Sequence, residues 1–447
     1  MIDVSRPERL SASEAARAIA GGVLSAVQLV EACLARIREV EPAVQAWQCL
    51  DEQHALAQAR ARDLDRAEGR ATGPLHGVPV GIKDIIDTTD MPTEDGTVLH
   101  AGRQPDRDAA VVAQLRAAGA VILGKTVTTE CATYAPGKTR NPHDATRTPG
   151  GSSSGSAAAV AAGMVPLALG TQSNASIIRP ASFCGVYGFK PTHGLISRHG
   201  ILKLSRSLDG VGVFARTLDD VALAAEQLTG FDENDPDTQP RARLPLQATL
   251  ATEPPLTPKL ALVKTPIWER ADESTRQAFD ELAAVLGSQC QHYPLPDSLA
   301  QAWDWHRTIM EAEMATNLDL EFEEGRERLS ESLRGQLARG REITALAYQR
   351  ALAKVPRLIE GFDELFSNFD AIVTPATRGT APPLASTGDP AFGTLWTLAG
   401  MPCLSLPLMH GPDGLPLGVQ LVGRRHDDAR LLRTARWLEG QALAASA

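Results

Sequence analysis

The chain has 447 residues, far more than one minimal core requires, so it holds either two or three domains or one large sheet. Hydrophobic residues make up 43% and aromatics only 4%, the profile of a soluble enzyme with an Ala/Val/Leu core, which excludes a disordered chain. A net charge of −10 with no basic stripe excludes an electrostatic nucleic-acid footprint.

The first ten residues carry no signal-peptide core, and no apolar run approaches the ~20 residues of a membrane helix. A cytoplasmic monomer or homodimer with no membrane partner is expected. The six cysteines form no C-x-x-C pair and read as reduced structural thiols. No H-E-x-x-H pattern occurs, and His193 and His199 lie six apart, so no metal site is expected.

In chain order, residues 1–72 read as a helical segment packing on the core. Ser11 with Glu14 and Ser25 with Gln28 are capping-box starts, and Leu29, Cys33, Ile37 and Val40 then share one helical face. From about Gly73 to residue 231 the pattern becomes α/β. Residues 78–82 read as a strand, 108–118 as a helix stopped by Gly119, 121–123 as a short strand and 156–162 as a helix. Further strand-like stretches lie at 165–169, 186–189, 371–374, 404–406 and 417–422. Strands alternating with helices predict a large, mixed but mostly parallel twisted sheet sandwiched by helices.

Residues 232–258, rich in Pro, Asp and Thr, read as a connector. Residues 259–369 read as a helical region covering the substrate, with helices over 272–286, 303–322 and 343–358. Residues 370–447 return to the sheet. The helical region carries Trp303, Trp305, Met310 and Met314, which either pack or line an apolar pocket.

Three motifs compete for the chemistry. Residues 119–126, G-A-V-I-L-G-K-T, match a phosphate loop formally, but Ala-Val-Ile-Leu is a buried strand rather than a cradle of N–H groups. G-S-S-S-G at 151–155 matches a nucleophile elbow around Ser153, yet the polar, Pro-bounded stretch before it supplies no strand. The third signal is the pair of Ser/Gly-rich stretches between Thr148 and Pro191, set beside P-L-H-G-V-P-V-G-I-K-D. Lys83 there ends an apolar strand, where it either snorkels or is desolvated into a base.

Together, P-L-H-G-V-P-V-G-I-K-D, L-G-K-T-V-T-T-E, T-R-N-P-H-D, S-I-I-R-P-A-S-F-C-G-V-Y-G-F-K-P-T, G-M-P-C-L-S-L-P and G-L-P-L-G-V-Q-L-V-G resemble the amidase signature family. The resemblance spans Gly73 to about Leu438 and implies that family's fold. It implies Lys83 as base, Ser152 as a bridge after a cis Gly151–Ser152 bond, and Ser176 as nucleophile. The oxyanion hole would be the backbone N–H groups of Ser173, Asn174, Ala175 and Ser176. Substrate contacts are expected from Gly151, Ser153, Gln172 and Arg179, though Arg179 also fits a structural role. Many relatives place two glycines where this chain has Asn174 and Ala175. Asn tolerates a left-handed conformation more readily than Ala, which questions the shape of the turn.

The implied mechanism needs a neutral lysine. An ordinary lysine has a pKa near about 10.4, and burial can lower it by as much as ~3–5. Lys83 would then draw protons through Ser152 from Ser176, giving an acyl-enzyme without metal or organic cofactor. Small aryl amides, anilides, esters or carbamates (urethanes) are the expected substrates of a self-sufficient hydrolase. The alternative is a glutamine-hydrolysing amidotransferase A-type subunit that feeds ammonia to a partner.

Overall fold

This computed structural model describes residues 2–70 and 72–446, with side chains through 444. Of the expected segments, residues 1, 71 and 447 lie outside the described residues. Eleven described strands form one sheet: β1 (Trp47–Leu50), β2 (Pro79–Lys83), β3 (Val121–Thr126), β4 (Leu167–Gln172), β5 (Tyr187–Lys190), β6 (Gly210–Ala215), β7 (Leu260–Lys264), β8 (Cys290–Pro294), β9 (Ala371–Pro375), β10 (Cys403–His410) and β11 (Pro416–Val422). Their order is β1-β3-β2-β4-β6-β5-β10-β11-β9-β7-β8.

The sheet is mixed, and helices flank both of its faces. Side chains alternate between two apolar layers, as strand geometry requires. Val121 and Leu123 enter one layer while Ile122 enters the other. The helix Ala26–Val44 and the small-residue helix Ser154–Ala161 pack on the first face, and the helices Ala110–Ala117, Leu218–Leu228 and Ala302–Asn317 on the second.

Three expectations need correction. Residues 1–72 are not wholly helical, because β1 pairs with β3 at the sheet's edge. The sheet is not mostly parallel, since six of the ten pairings among the described strands are antiparallel. Fully buried strands read as continuous apolar runs whichever way they pair, so hydrophobicity carried no directional signal. Residues 259–369 are also not purely helical, because β7 and β8 add a parallel pair at the sheet's far end. The expected helices there break in two: 302–317 from 319–325, and 345–352 from 355–365. Both N-terminal capping boxes form as expected.

Three elements place the site. β2 ends on Lys83, and β4 lies parallel beside it, with Ile82 opposite Leu169. Gly170 must be glycine because a Cβ there would sit 2.6 Å from Phe214 and 2.7 Å from Ser153 Oγ. That close approach brings the loop carrying Ser152 against β4.

Candidate active site

Lys83 is fully buried, and its Nζ donates to Ser152 Oγ at 2.7 Å and to Thr171 Oγ1 at 2.7 Å. No carboxylate forms an ion pair with it among the described residues. Burial holds its pKa well below the ordinary lysine value, opposed only by the charge of Asp209. Burial thus biases toward its neutral form an amine bonded to a hydroxyl at a strand end. The Gly151–Ser152 peptide is cis.

The turn after β4 carries Ser173 to Ser176. Gln172 Oε1 accepts from the N–H groups of Ile177 (2.9 Å) and Ile178 (3.1 Å), which folds the chain back on itself. Thr397 Oγ1 donates to the Asn174 carbonyl, and His306 Nε2 donates to that of Ser173 at 2.9 Å. Asn174 and Ala175 are absent from the residues with positive φ, so the turn needs no left-handed residue and glycine is dispensable there. The Asn174 side chain donates to Tyr134 Oη at 3.0 Å and accepts from Thr394 Oγ1 at 2.7 Å. Among the described residues, Asn174, Ala175 and Ser176 donate no backbone hydrogen bond within the protein.

Lys83 and Ser152 are therefore joined directly, while no hydrogen bond joins Ser152 to Ser176 among the described residues. Their segments nonetheless abut. A Cβ on Gly150 would meet Pro180 Cα at 2.8 Å, and Arg179 Nη2 donates to the Gly151 carbonyl at 2.6 Å.

Each of the four expected substrate contacts makes hydrogen bonds inside the protein. Gln172 also donates to Thr397, and Ser153 Oγ bonds the N–H and the carbonyl of Thr171. The Gly151 carbonyl accepts from Arg179, whose Nη2 also donates to Thr387. Arg179 is fully buried, which lowers its pKa to about 10, and its Nε and Nη1 find no partner. It ties the turn to the Ser152 loop rather than facing an open cavity. The motif at 119–126 is strand β3, with Lys125 turned inward onto Ile86 and Thr93, so it forms no phosphate cradle.

Two cavities reach the turn. One, of about 390 Å³, touches Ile85, Ala132, Thr171, Ser173, Leu202 and Asp209. The other, of about 810 Å³, touches Tyr134, Asn174, Trp303, His306, Met310 and Asp389, with Arg270, Glu311 and Arg339 also in its wall. Sequence reasoning missed Thr171, Asp209 and His306. Thr171 was findable as a polar residue at a strand end five before Ser176; the other two carry no local signal.

The amidase family profile matches residues 28–432. This chain belongs to the amidase family. It is 37% identical to the A-type subunit of the glutamyl-tRNA(Gln) amidotransferase of Chloroflexus aggregans, over 95% of this chain and 94% of that one. Among amidase-family folds, the native peptide amidase of Stenotrophomonas maltophilia superposes with a TM-score of 0.87 at 32% identity, covering 97% of each chain. A structure from a vestigial complex bearing on the origins of an s-triazine catabolic enzyme gives 0.90 at 29% identity over 98% of each. The chain is accordingly an amidase-family enzyme acting on C–N bonds. Among the described residues, no helix is long and apolar enough to cross a membrane.

Proposed function

We propose that this enzyme hydrolyses a linear carboxamide through an acyl-enzyme on Ser176. The observation that supports this best is an unpaired, desolvated Lys83 bonded to the Ser152 hydroxyl. Neutral Lys83 takes the Ser152 proton while Ser152 takes that of Ser176, and Ser176 Oγ attacks the carbonyl carbon. The free N–H groups of the turn stabilise the oxyanion; losing one such donor typically costs about 2.7–4 kcal/mol. As the C–N bond breaks, Ser152 protonates the leaving nitrogen and Lys83 returns its proton to Ser152. Water then releases the acid by the same relay.

The larger cavity favours a polar amide over an aryl one. Of the four side chains read as either packing or lining an apolar pocket, only Trp303 and Met310 line it. Met314 is wholly in the core, and Trp305 lies under Lys354. The ion pairs Arg270–Asp389 and Arg339–Glu311 stand in the same wall. A second reading, the A-type amidotransferase subunit, gains support from relatives of that name at 34–37% identity across nearly their full length. A hydrolysis panel of glutamine, primary amides, anilides and aryl carbamates, with Ser176→Ala as control, tests both. Glutaminase activity together with a co-purifying partner selects the amidotransferase reading. Turnover of other amides by the chain alone selects the free-standing hydrolase. Undiminished turnover by Ser176→Ala overturns both.

A further inference from the structure

We infer that Asp209 and His306 are a pair of positioning residues that pin Ser173 from its two sides and thereby aim the N–H groups of the catalytic turn. The inference rests on the acyl-enzyme reading above. Asp209 precedes β6, whose Gly210 pairs with Gln172, so its carboxylate arrives at the end of β4 by strand register. Its Oδ1 accepts from Ser173 Oγ at 2.5 Å, and its Oδ2 accepts from the N–H groups of Leu204 and Ser205 at 2.9 Å. Burial raises the carboxyl's pKa, and the three donors oppose that rise and favour the ionised form.

His306 reaches Ser173 from the other cavity. A carbonyl only accepts, so Nε2 carries the proton, and burial keeps the ring neutral by pushing its pKa to about 4. A trans peptide is planar, with its C=O and the following N–H pointing in opposite directions. Holding the Ser173 carbonyl therefore aims the Asn174 N–H directly away from His306. Thr397 does the same for Ala175 N–H through the Asn174 carbonyl.

One helix commands both contacts. Ala302–Asn317 carries His306, and its Glu313 accepts from Ser205 Oγ and Ser207 Oγ, each at 2.5 Å. Its Asn317 donates to the Leu204 carbonyl at 3.0 Å. The loop that presents Asp209 is thus held by the same helix that presents His306. That helix acts as a strut for the turn.

Asp209 has a second effect, through charge. Around Lys83, β4 and the 152 loop contribute only hydroxyls, and Lys125 on β3 has Asp84 beside it, leaving Asp209 as the one opposing charge. Around Asp209 stand Arg198, matched by Asp235 and Asp237, and Glu313 behind the loop. Removing the Asp209 charge therefore favours the neutral amine.

The test measures kcat and KM against pH for Asp209→Asn, Ser173→Ala and His306→Ala, with His306→Gln and Ser176→Ala alongside. Asp209→Asn is expected to lower kcat about 10–10²-fold, with KM little changed, and to move the acid limb of the profile to lower pH. Ser173→Ala keeps the acid limb in place, and its loss is not additive with that of Asp209→Asn. His306→Ala lowers kcat about 10-fold with the limb unmoved, and His306→Gln, which keeps an N–H donor, recovers part of it. An unmoved limb in Asp209→Asn, or wild-type kcat in His306→Ala, overturns the inference while inactive Ser176→Ala leaves the acyl-enzyme reading standing. An active Ser176→Ala removes that reading itself.

Discussion

Two lysines on neighbouring strands are equally buried and differently partnered. Lys83 ends β2 and Lys125 lies beside it on β3, where Ile82 pairs with Lys125. Lys125 donates to the Ile86 carbonyl at 2.7 Å and to Thr93, and lies 3.7 Å from Asp84 Oδ1. Lys83 meets only hydroxyls. Burial lowers both pKa values, but Asp84 opposes the fall at Lys125, whereas nothing so close opposes it at Lys83. Desolvation lowers a lysine's pKa and a carboxylate at its side opposes the fall, so the proposed base is the lysine that has none.

The largest effect should separate the two sites cleanly. Ser176→Ala is expected to lower kcat on the order of 10⁴–10⁶-fold, and Lys83→Met about 10²–10⁴-fold, both with the fold intact by circular dichroism. Lys125→Met should do the reverse. It strands a buried carboxylate, so unfolding by denaturant should show a loss of about 3–5 kcal/mol with kcat per folded molecule retained. Loss of activity in a folded Lys125→Met protein would erase the distinction.

A pH series sharpens the comparison. Because the folded pKa of Lys83 lies below its unfolded value, the unfolded chain binds more protons between the two. Stability should therefore rise with pH across that window, and turnover should rise as Lys83 loses its proton. Lys83→Met should flatten that rise in stability, as read by denaturant midpoints across pH.

The smallest effect lies away from both lysines. His100 sits between Asp95 (2.8 Å) and Glu321 (3.0 Å), which raise its pKa to about 9 and tie the 95–100 loop to the helix Asp319–Gly325. A raised histidine stabilises fully below its unfolded pKa and loses that contribution as pH passes about 9. His100→Asn should lower the melting temperature by a few degrees at pH 6 and by less at pH 10.

How much of this was legible in the sequence follows from the range of each interaction. Lys83 was visible because an apolar strand ending on lysine is a local anomaly, and the Ser152 and Ser176 positions came with the family resemblance. The strand β8, Cys290–Pro294, was hidden because it is an edge strand with an exposed, polar face. Gln172 looked like a substrate contact from its place before the turn, yet a buried amide has to satisfy donor and acceptor, and the nearest groups were backbone N–H and Thr397. Asp209 and His306 lie 33 and 130 positions beyond Ser176, and only the folded sheet and strut helix bring them to Ser173. Local patterns carry strands and caps; they do not carry such pairings.

Labelling with an activated, serine-reactive aryl carbamate or phosphonate, followed by peptide mass spectrometry, tests the central claim most directly. One adduct is expected, on the peptide bearing Ser176, absent in Ser176→Ala, formed at least 10²-fold more slowly in Lys83→Met and at an undiminished rate in Lys125→Met. An adduct on Ser152 or Ser153, or labelling indifferent to Lys83, would contradict the account.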